Sequence, residues 1–210
     1  MSRISIVGLG NMAGALAGRA LAGGNAVEVI GRDQTKAQAL AAALDGATVG
    51  PAGATPAGDI VVIAVPYASA AAVISGYGDA LLGKVVIDLT NPANADFTGF
   101  VTPEGSSGAQ EIAKAAPAGV PVVKAFNSVF SHVLAAGSAQ GRPLDVFMAG
   151  DDAHAKASVS AFIESLGLRP LDVGKLPMAR VLENVALLEL GLVAHSLKHT
   201  NFAVGVSILG

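Results

Sequence analysis

The chain has 210 residues, a net charge of −3 and no cysteine, and 52% of its residues are hydrophobic against 14% that are charged. This length suits one domain or a domain with an extension, and the charge argues against nucleic acid or an anionic membrane as a partner. The absence of cysteine excludes disulfides, thiolate chemistry and cysteine metal sites, which favours a cytoplasmic location. No uncharged apolar run reaches the roughly twenty residues of a membrane span, so we expect no membrane insertion.

Strand-like apolar runs alternate with alanine-rich helical stretches along most of the chain. The predicted strands are residues 4–7, 27–30, 60–65, 85–88, 120–125, 145–149 and 169–173. The predicted helices include residues 15–22, 35–44, 109–115 and 153–166, and surface loops are predicted over 50–56 and 99–108. Because the apolar runs are continuous, the strands are expected to be buried on both faces. Residues 1–173 are therefore predicted to form an α/β domain, a doubly wound and mainly parallel Rossmann sheet.

Residues 174–210 are predicted to be a short C-terminal helical extension, with one long helix from about residue 178 to residue 198. The charges of this helix do not gather on one face; they are Arg180, Glu183, Glu189 and Lys198. A helix that is apolar on most sides must be buried on most sides. Two arrangements stay open: the helix packs on the cleft and on a second subunit of a homodimer, or it is tucked into its own subunit.

A glycine turn follows the first predicted strand. It comprises Gly8, Leu9, Gly10, Asn11, Met12 and Ala13. In such a turn the first glycine permits the tight bend, the second lets the backbone approach a pyrophosphate, and a small third residue lets helix and strand pack closely. The helix N-terminus supplies free N–H groups to the anion. This pattern predicts a dinucleotide site; the alternative is an ordinary tight turn in a chain with 26 glycines.

The end of the second predicted strand indicates which dinucleotide binds. Sheets that bind NAD place an acidic residue there for the ribose 2′-hydroxyl, whereas an arginine accommodates a 2′-phosphate. Here Gly31 is followed by Arg32, and Lys36 comes one helical turn later. Asp33 is predicted to cap the next helix rather than bind ribose. We therefore predict NADP(H) as the cofactor; the alternative is that both cations are solvated surface charges.

Several ordered motifs resemble those of the NADPH-dependent coenzyme F420 reductase family. They are Gly-x-Gly-Asn-Met at 8–12, Gly-Arg at 31–32, Ala-Val-Pro-Tyr at 64–67, Asp-Leu-Thr-Asn-Pro at 88–92, Lys-Ala-Phe-Asn at 124–127 and the segment 172–183. The resemblance covers nearly the whole chain. It implies a small NADP-binding Rossmann protein, often dimeric, that passes hydride between NADP(H) and a deazaflavin. The soluble domains of transmembrane metalloreductases, which use a flavin, belong to the same superfamily.

One segment departs from the family pattern. Deazaflavin reductases tend to have Ala-Leu-His where this chain has Ala125, Phe126 and Asn127. The sequence here is closer to the metalloreductase domains, so the acceptor stays open between coenzyme F420 and FMN or FAD. Two further alternatives are an NADPH-dependent reductase of a small imine or pyrroline-carboxylate, as in related reductases, and a non-catalytic NADP(H)-sensing protein.

Direct hydride transfer, which the resemblance implies, needs no protein nucleophile and no metal, so no obligatory acid or base is expected. The candidate nicotinamide contacts follow predicted strands; they are Val65, Pro66, Tyr67, Asn91, Pro92, Lys124, Phe126 and Asn127. For Val65 to Tyr67 the alternative is an ordinary strand exit, and for Asn91-Pro92 a turn. Lys124 either stabilises negative charge on a reduced ring or reaches solvent. Asn127 either contacts nicotinamide or caps a helix.

The four histidines are expected to have other roles. His195 and His199 share an i, i+4 spacing that could hold a metal on a helix, but without a nearby third ligand we expect packing or a helix C-terminal contact. His132 is a candidate pocket residue, and His154 is predicted to be a surface residue at a helix start.

Overall fold

The fold is built on one sheet of eight strands, seen in a computed structural model that describes residues 1–139 and 141–209. The strands are β1 Arg3–Val7, β2 Ala26–Ile30, β3 Thr48–Gly50, β4 Ile60–Ile63, β5 Val85–Asp88, β6 Val122–Ala125, β7 Ser138–Ala139, β8 Arg142–Pro143, β9 Asp145–Gly150 and β10 Arg169–Asp172. Across the sheet the order is β10-β9-β6-β5-β4-β1-β2-β3, and β7 pairs with β8 in a separate hairpin. The predicted doubly wound sheet is confirmed.

The sheet is parallel from β3 to β6 and reverses once. β6 pairs with β9 in the antiparallel sense, and β10 then runs parallel to β9. The reversal sends β9 and β10 in the opposite direction to the other six strands. Their first residues, Asp145 and Arg169, therefore lie at the edge where the other strands end.

Helices cover both faces of the sheet. They are α1 Asn11–Ala22, α2 Gln34–Ala43, α3 Tyr67–Tyr77, α4 Gly108–Ala115, α5 Ser131–Ala136, α6 Ala153–Ser165 and α7 Ala179–Leu192, followed by a π-helical turn, Val193–Leu197. Side chains alternate along the buried strands: Ile6 packs with α1 and α6 on one face, and Val7 packs with α3 and α4 on the other. This two-sided burial is why the strands have continuous apolar runs.

Two predicted features of the fold are corrected. The loop predicted over 50–56 begins only after β3, which at three residues gives too short a pattern to recognise. The long helix predicted over 178–198 is α7 plus the π-helical turn, and residues 198–209 continue without regular structure. His199 lies outside the helical segment and makes an edge contact with Phe202, so the pair at 195 and 199 does not share a helix face.

Burial of α7 also differs from the expectation. Its inward face contains Leu182, Ala186 and the two carboxylates Glu183 and Glu189, while Leu188 is 57% exposed. The helix thus buries two carboxylates and leaves an aliphatic side chain on its outer surface. Within the described residues, no helix is long and apolar enough to cross a membrane.

Candidate active site

The glycine turn between β1 and α1 forms the first part of the site. Gly8 has φ of +140°, its N–H donates to the Ile30 carbonyl oxygen at 2.9 Å, and a Cβ on it would lie 2.1 Å from the Ala64 carbonyl oxygen. Only glycine fits there. Gly10 precedes α1 without a side-chain cap, and a Cβ on it would meet nothing within 4 Å. The open backbone and the free amides at the start of α1 fit a pyrophosphate.

A small apolar slot lies beside the turn, at the ends of β1 and β2. Its volume is about 200 Å³, and it is lined by Val7, Ile30, Gly31, Arg32, Ala52, Gly53, Ala72, Val73, Gly76 and Tyr77. Arg32 is exposed, and Lys36 is exposed one turn into α2. The apolar lining of the slot could hold a planar purine, and the exposed Arg32 guanidinium could then reach the ribose.

Asp33 serves the helix rather than the slot. Its carboxylate accepts a hydrogen bond from the Lys36 backbone N–H at 3.0 Å and caps α2, which confirms the predicted cap. The acidic residue that follows Arg32 is therefore already used to cap α2. Leu9 lies over the second turn, because a Cβ on Gly31 would come within 2.3 Å of Leu9 Cδ1.

The second group of predicted contacts lies at the ends of β4 and β5. Pro66 precedes α3 and Tyr67 begins it, while Val65 is half-buried. Burial raises the pKa of the Tyr67 hydroxyl, and the nearby carboxylates of Glu111, Glu183 and Asp88 raise it further. These residues lie at a single edge of the sheet, as predicted for ligand contacts in open α/β folds.

Asn91 and Asn127 join the ends of β5 and β6. Asn127 Nδ2 donates to Asn91 Oδ1 at 2.9 Å and to the Leu182 carbonyl oxygen of α7 at 3.0 Å, and Asn91 Nδ2 donates to the Asn127 carbonyl oxygen at 2.8 Å. The helix-cap alternative for Asn127 is wrong, because α5 begins at Ser131 after Phe130.

Two buried polar atoms at this edge have no partner within the described structure. They are Asn127 Oδ1 and Thr90 Oγ1, on side chains that are buried at the ends of β6 and β5. A buried acceptor without a donor costs about 1–3 kcal/mol, so such atoms usually have a ligand or water as partner. Thr90 was missed at the sequence level, because a single threonine after a strand has no distinctive pattern.

Lys124 does not face the cleft, and both of its predicted roles are corrected. Its side chain is fully buried, and its Nζ donates to Asp88 at 2.8 Å, to Glu183 at 3.0 Å and to the Thr90 carbonyl oxygen. The ammonium has three donors, and these three acceptors use them all. Lys124 therefore neither reaches solvent nor has a donor left for a reduced ring.

Glu183 ties α7 to the sheet through the same cluster. Its carboxylate also accepts from the backbone N–H groups of Gly108, at 3.2 Å, and Ala109, at 3.4 Å, at the start of α4. The positive end of a helix dipole and an ammonium thus stabilise one buried carboxylate. This cluster fixes α7 beside the loop after β6.

Phe126 is a second correction among the predicted contacts. Its ring is buried in the core and meets Phe162 edge to face, with centroids 6.2 Å apart. The residue has φ of +65°, an uncommon conformation for a bulky side chain. This left-handed residue turns the chain out of β6 and is followed directly by Asn127. Its role is to shape the loop rather than to touch a cofactor.

Comparison with known proteins agrees with this geometry. Residues 3–92 match the family model described as NADP oxidoreductase, coenzyme F420-dependent. Over that range the chain is similar to this family. The match supports the prediction of an NADP-dependent oxidoreductase, and it covers the glycine turn, Arg32 and the ends of β4 and β5.

Two relatives extend the similarity beyond the family match. The chain is 31% identical over 188 residues to Metalloreductase STEAP3 of Rattus norvegicus, which covers 88% of this chain but only 36% of that protein. It is 27% identical over 161 residues to the F420-dependent NADP reductase of Methanocaldococcus jannaschii, covering 72% of this chain and 68% of the relative.

A solved structure shows that the fold is shared over the full length. A protein from Arthrobacter sp. fb24 matches with a TM-score of 0.86 and 24% identity, covering 99% of this chain and 100% of that one. At 24% identity the match supports similarity of the fold alone. It includes α7 and the segment that follows.

Proposed function

We propose that this protein is an NADP(H)-dependent oxidoreductase that transfers hydride between nicotinamide and a deazaflavin (coenzyme F420) or flavin ring. The observation that carries the proposal is the pair of unpartnered buried atoms, Asn127 Oδ1 and Thr90 Oγ1. We expect the nicotinamide half of a dinucleotide to reach these atoms once its adenosine half is in the slot beside Arg32. The family match and the name of the Methanocaldococcus jannaschii relative support the same chemistry, and the name of the Rattus norvegicus relative supports a reductase.

The residues of the chain would bind and orient the two rings. NADP(H), when bound, supplies the hydride at nicotinamide C4. The amides after Gly10 would hold the pyrophosphate, and Arg32 with Lys36 would hold the 2′-phosphate. Asn127 Oδ1 would accept a hydrogen bond from the carboxamide, while Nδ2 stays bonded to Asn91 and Leu182. Val65 and Pro66 would form the apolar floor that excludes water from the reacting face.

The outward face of α7 leads us to propose a homodimer. Val181, Val185, Leu188 and Leu192 are spaced four, three and four residues apart, which aligns them on one side of the helix. Val181 is 48% exposed and Leu188 57% exposed. We further propose that residues 1–173 form a Rossmann domain and residues 174–210 a helical extension. We also propose a cytoplasmic location.

Stopped-flow oxidation of NADPH tests the proposal. The acceptors are coenzyme F420, FMN, FAD, ferric chelates and a cyclic imine, each with an NADH control. We expect rapid NADPH oxidation with at least one ring acceptor. Oxidation with the imine alone would replace the proposal with the imine reductase alternative, and tight NADPH binding without turnover of any acceptor would favour the sensor.

A further inference from the structure

The reversed strands β9 and β10 form a wall at the nicotinamide end of the cleft. Met148 pairs with Ala125, the last residue of β6, so Asp145 lies three residues further on. At about 3.3 Å per residue it stands roughly 10 Å beyond the end of β6. Arg169 is its partner on β10, two strands and therefore about 10 Å from β6 across the sheet. These two strands lie beside the loop that contains Asn127.

The C-terminal segment closes a pocket against this wall. Arg169 donates from Nε and NH2 to the two carboxylate oxygens of Asp145 at 2.5 and 2.7 Å, and also to the Val206 carbonyl oxygen at 2.6 Å. The Val206 N–H donates back to Asp145 at 2.7 Å. Val206 is thus bonded to the Asp145–Arg169 pair through both its N–H and its carbonyl oxygen. The pocket between the C-terminal segment and these strands has a volume of about 400 Å³.

The pocket has one uncompensated positive charge. Asp145 and Arg169 neutralise each other, and the guanidinium holds the pKa of the Asp145 carboxyl below its usual range. Arg142 also lines the pocket and is exposed, and among the described residues it makes no hydrogen bond or ion pair. A free guanidinium in the same pocket as a fixed Arg–Asp pair suits a phosphate or carboxylate group.

Packing connects this pocket to the proposed reaction site. Ala203, on the pocket lining, and Phe130, three residues after Asn127, pack on the same hydrophobic cluster. The Phe202 ring meets Phe130 edge to face at 5.5 Å between centroids. A ring stacked on nicotinamide beside Asn127 would therefore have this pocket within reach of its side chain.

We infer that the pocket lined by Arg142, Arg169 and the 203–206 segment binds the phosphorylated side arm of the hydride acceptor. This inference rests on the proposed function, because it concerns a substituent of the hydride acceptor named there. The pocket should bind phosphorylated flavins or deazaflavins more tightly than the same rings without phosphate. Arg142 supplies the long-range attraction, and the Asp145–Arg169 pair fixes the shape of the pocket.

Paired acceptors test the inference. The KM values of FMN and riboflavin, and of coenzyme F420 and its dephosphorylated precursor, are measured with Arg142→Ala, Arg142→Lys and the wild type. Arg142→Ala should raise KM about tenfold for the phosphorylated member of the pair that reacts, and leave the other member and NADPH binding unchanged; Arg142→Lys should give a smaller increase. The effect should shrink at high salt. The control is Arg3→Ala, an equal charge change at the opposite end of β1.

The outcomes separate the inference from the proposed function. Equal KM changes for both members of a pair, or no change, would overturn the inference while leaving hydride transfer intact. If no ring oxidises NADPH, the proposed function fails, and the pocket is then tested by direct titration of FMN and riboflavin fluorescence. Equal affinity for the two flavins, or an FMN affinity that Arg142→Ala does not lower, would overturn the inference there as well.

Discussion

Two glycines of the same turn have different tasks. Gly8 is required by the fold, because a Cβ on it would collide with the Ala64 backbone and its φ is +140°. Gly10 has φ of −86° and open space around it, so the fold does not require it. The openness at Gly10 would let a ligand approach the backbone closely, as proposed for the pyrophosphate.

The glycine pair gives a prediction that separates folding from binding. Gly8→Ala should destabilise the protein by about 3 kcal/mol or more, because the strain cannot relax. Gly10→Ala should stay within about 1 kcal/mol of wild-type stability and weaken NADPH binding at least tenfold. Thermal unfolding and fluorescence titration measure the two effects. Wild-type NADPH affinity in folded Gly10→Ala would contradict the account of the turn.

Residue roles were predictable from the sequence where local geometry decides them. The turn at Gly8, the cap at Asp33 and the position of Arg32 all depend on neighbours a few residues away. Lys124 was not predictable in this way, because the carboxylates that bury it come from positions 36 and 59 residues distant. A side chain just before a strand end can face the cleft or the interior, and only the assembled layers decide which.

At the scale of elements, α7 is unusual for its two buried carboxylates. Glu183 is compensated by Lys124 and by the start of α4, as described above. Glu189 is 3% exposed, and its Oε1 has no partner among the described residues. Burial raises the pKa of its carboxyl to about 8. The apolar sequence of this helix gave no sign that its acidic positions face inward.

The raised pKa of Glu189 predicts how stability depends on pH. Below about pH 4.5 the carboxyl is protonated in both the folded and the unfolded chain, and it has no effect. Between there and pH 8 only the unfolded chain ionises, so this group lowers the free energy of unfolding as pH rises. Glu189→Gln should remove that loss and be more stable than the wild type at pH 8 by a few kcal/mol, but not at pH 4.5.

Urea unfolding from pH 4.5 to 8.5 measures this difference. The matched control is Glu164→Gln, at an exposed position on α6, whose effect on stability should not change over the same range. If the stability difference between Glu189→Gln and the wild type is the same at every pH, Glu189 is ionised in the folded protein and the account of its burial is wrong.

The sequence did not predict two features of the sheet strands: the very short strands, and the reversed direction of β9. The two-residue strands β7 and β8 are too short to show a pattern. The reversal at β9 is invisible because a strand buried on both faces has the same continuous apolar run in either direction. This reversal places Asp145 and Arg169 at the same edge of the sheet as the proposed ligand site.

At the scale of the whole molecule, the outward stripe of α7 predicts self-association. Four aliphatic side chains lie on this side of α7, of which Val181 and Leu188 are exposed and Val185 and Leu192 are half-buried. In a chain with only 14% charged residues, they form a surface that a symmetric copy could cover. Leu188→Glu should convert a dimer into a monomer, because two carboxylates would face each other across the two-fold axis. Light scattering after gel filtration measures the mass.

The control for this variant is Ala157→Glu, which introduces the same charge at an exposed position on α6. It should leave the dimer intact. A wild-type protein that is monomeric at micromolar concentration, or a Leu188→Glu variant that stays dimeric, would show that the α7 stripe is not the interface.

The central claim is that a 2′-phosphorylated adenosine lies in the slot beside Arg32. The most direct measurement is isothermal titration of NADPH and NADH against the wild type, Arg32→Ala and Arg3→Ala. We predict that the wild type and Arg3→Ala bind NADPH at least tenfold more tightly than NADH, and that Arg32→Ala loses most of this preference with little change for NADH. Equal affinities of the wild-type protein for the two nucleotides would contradict the claim.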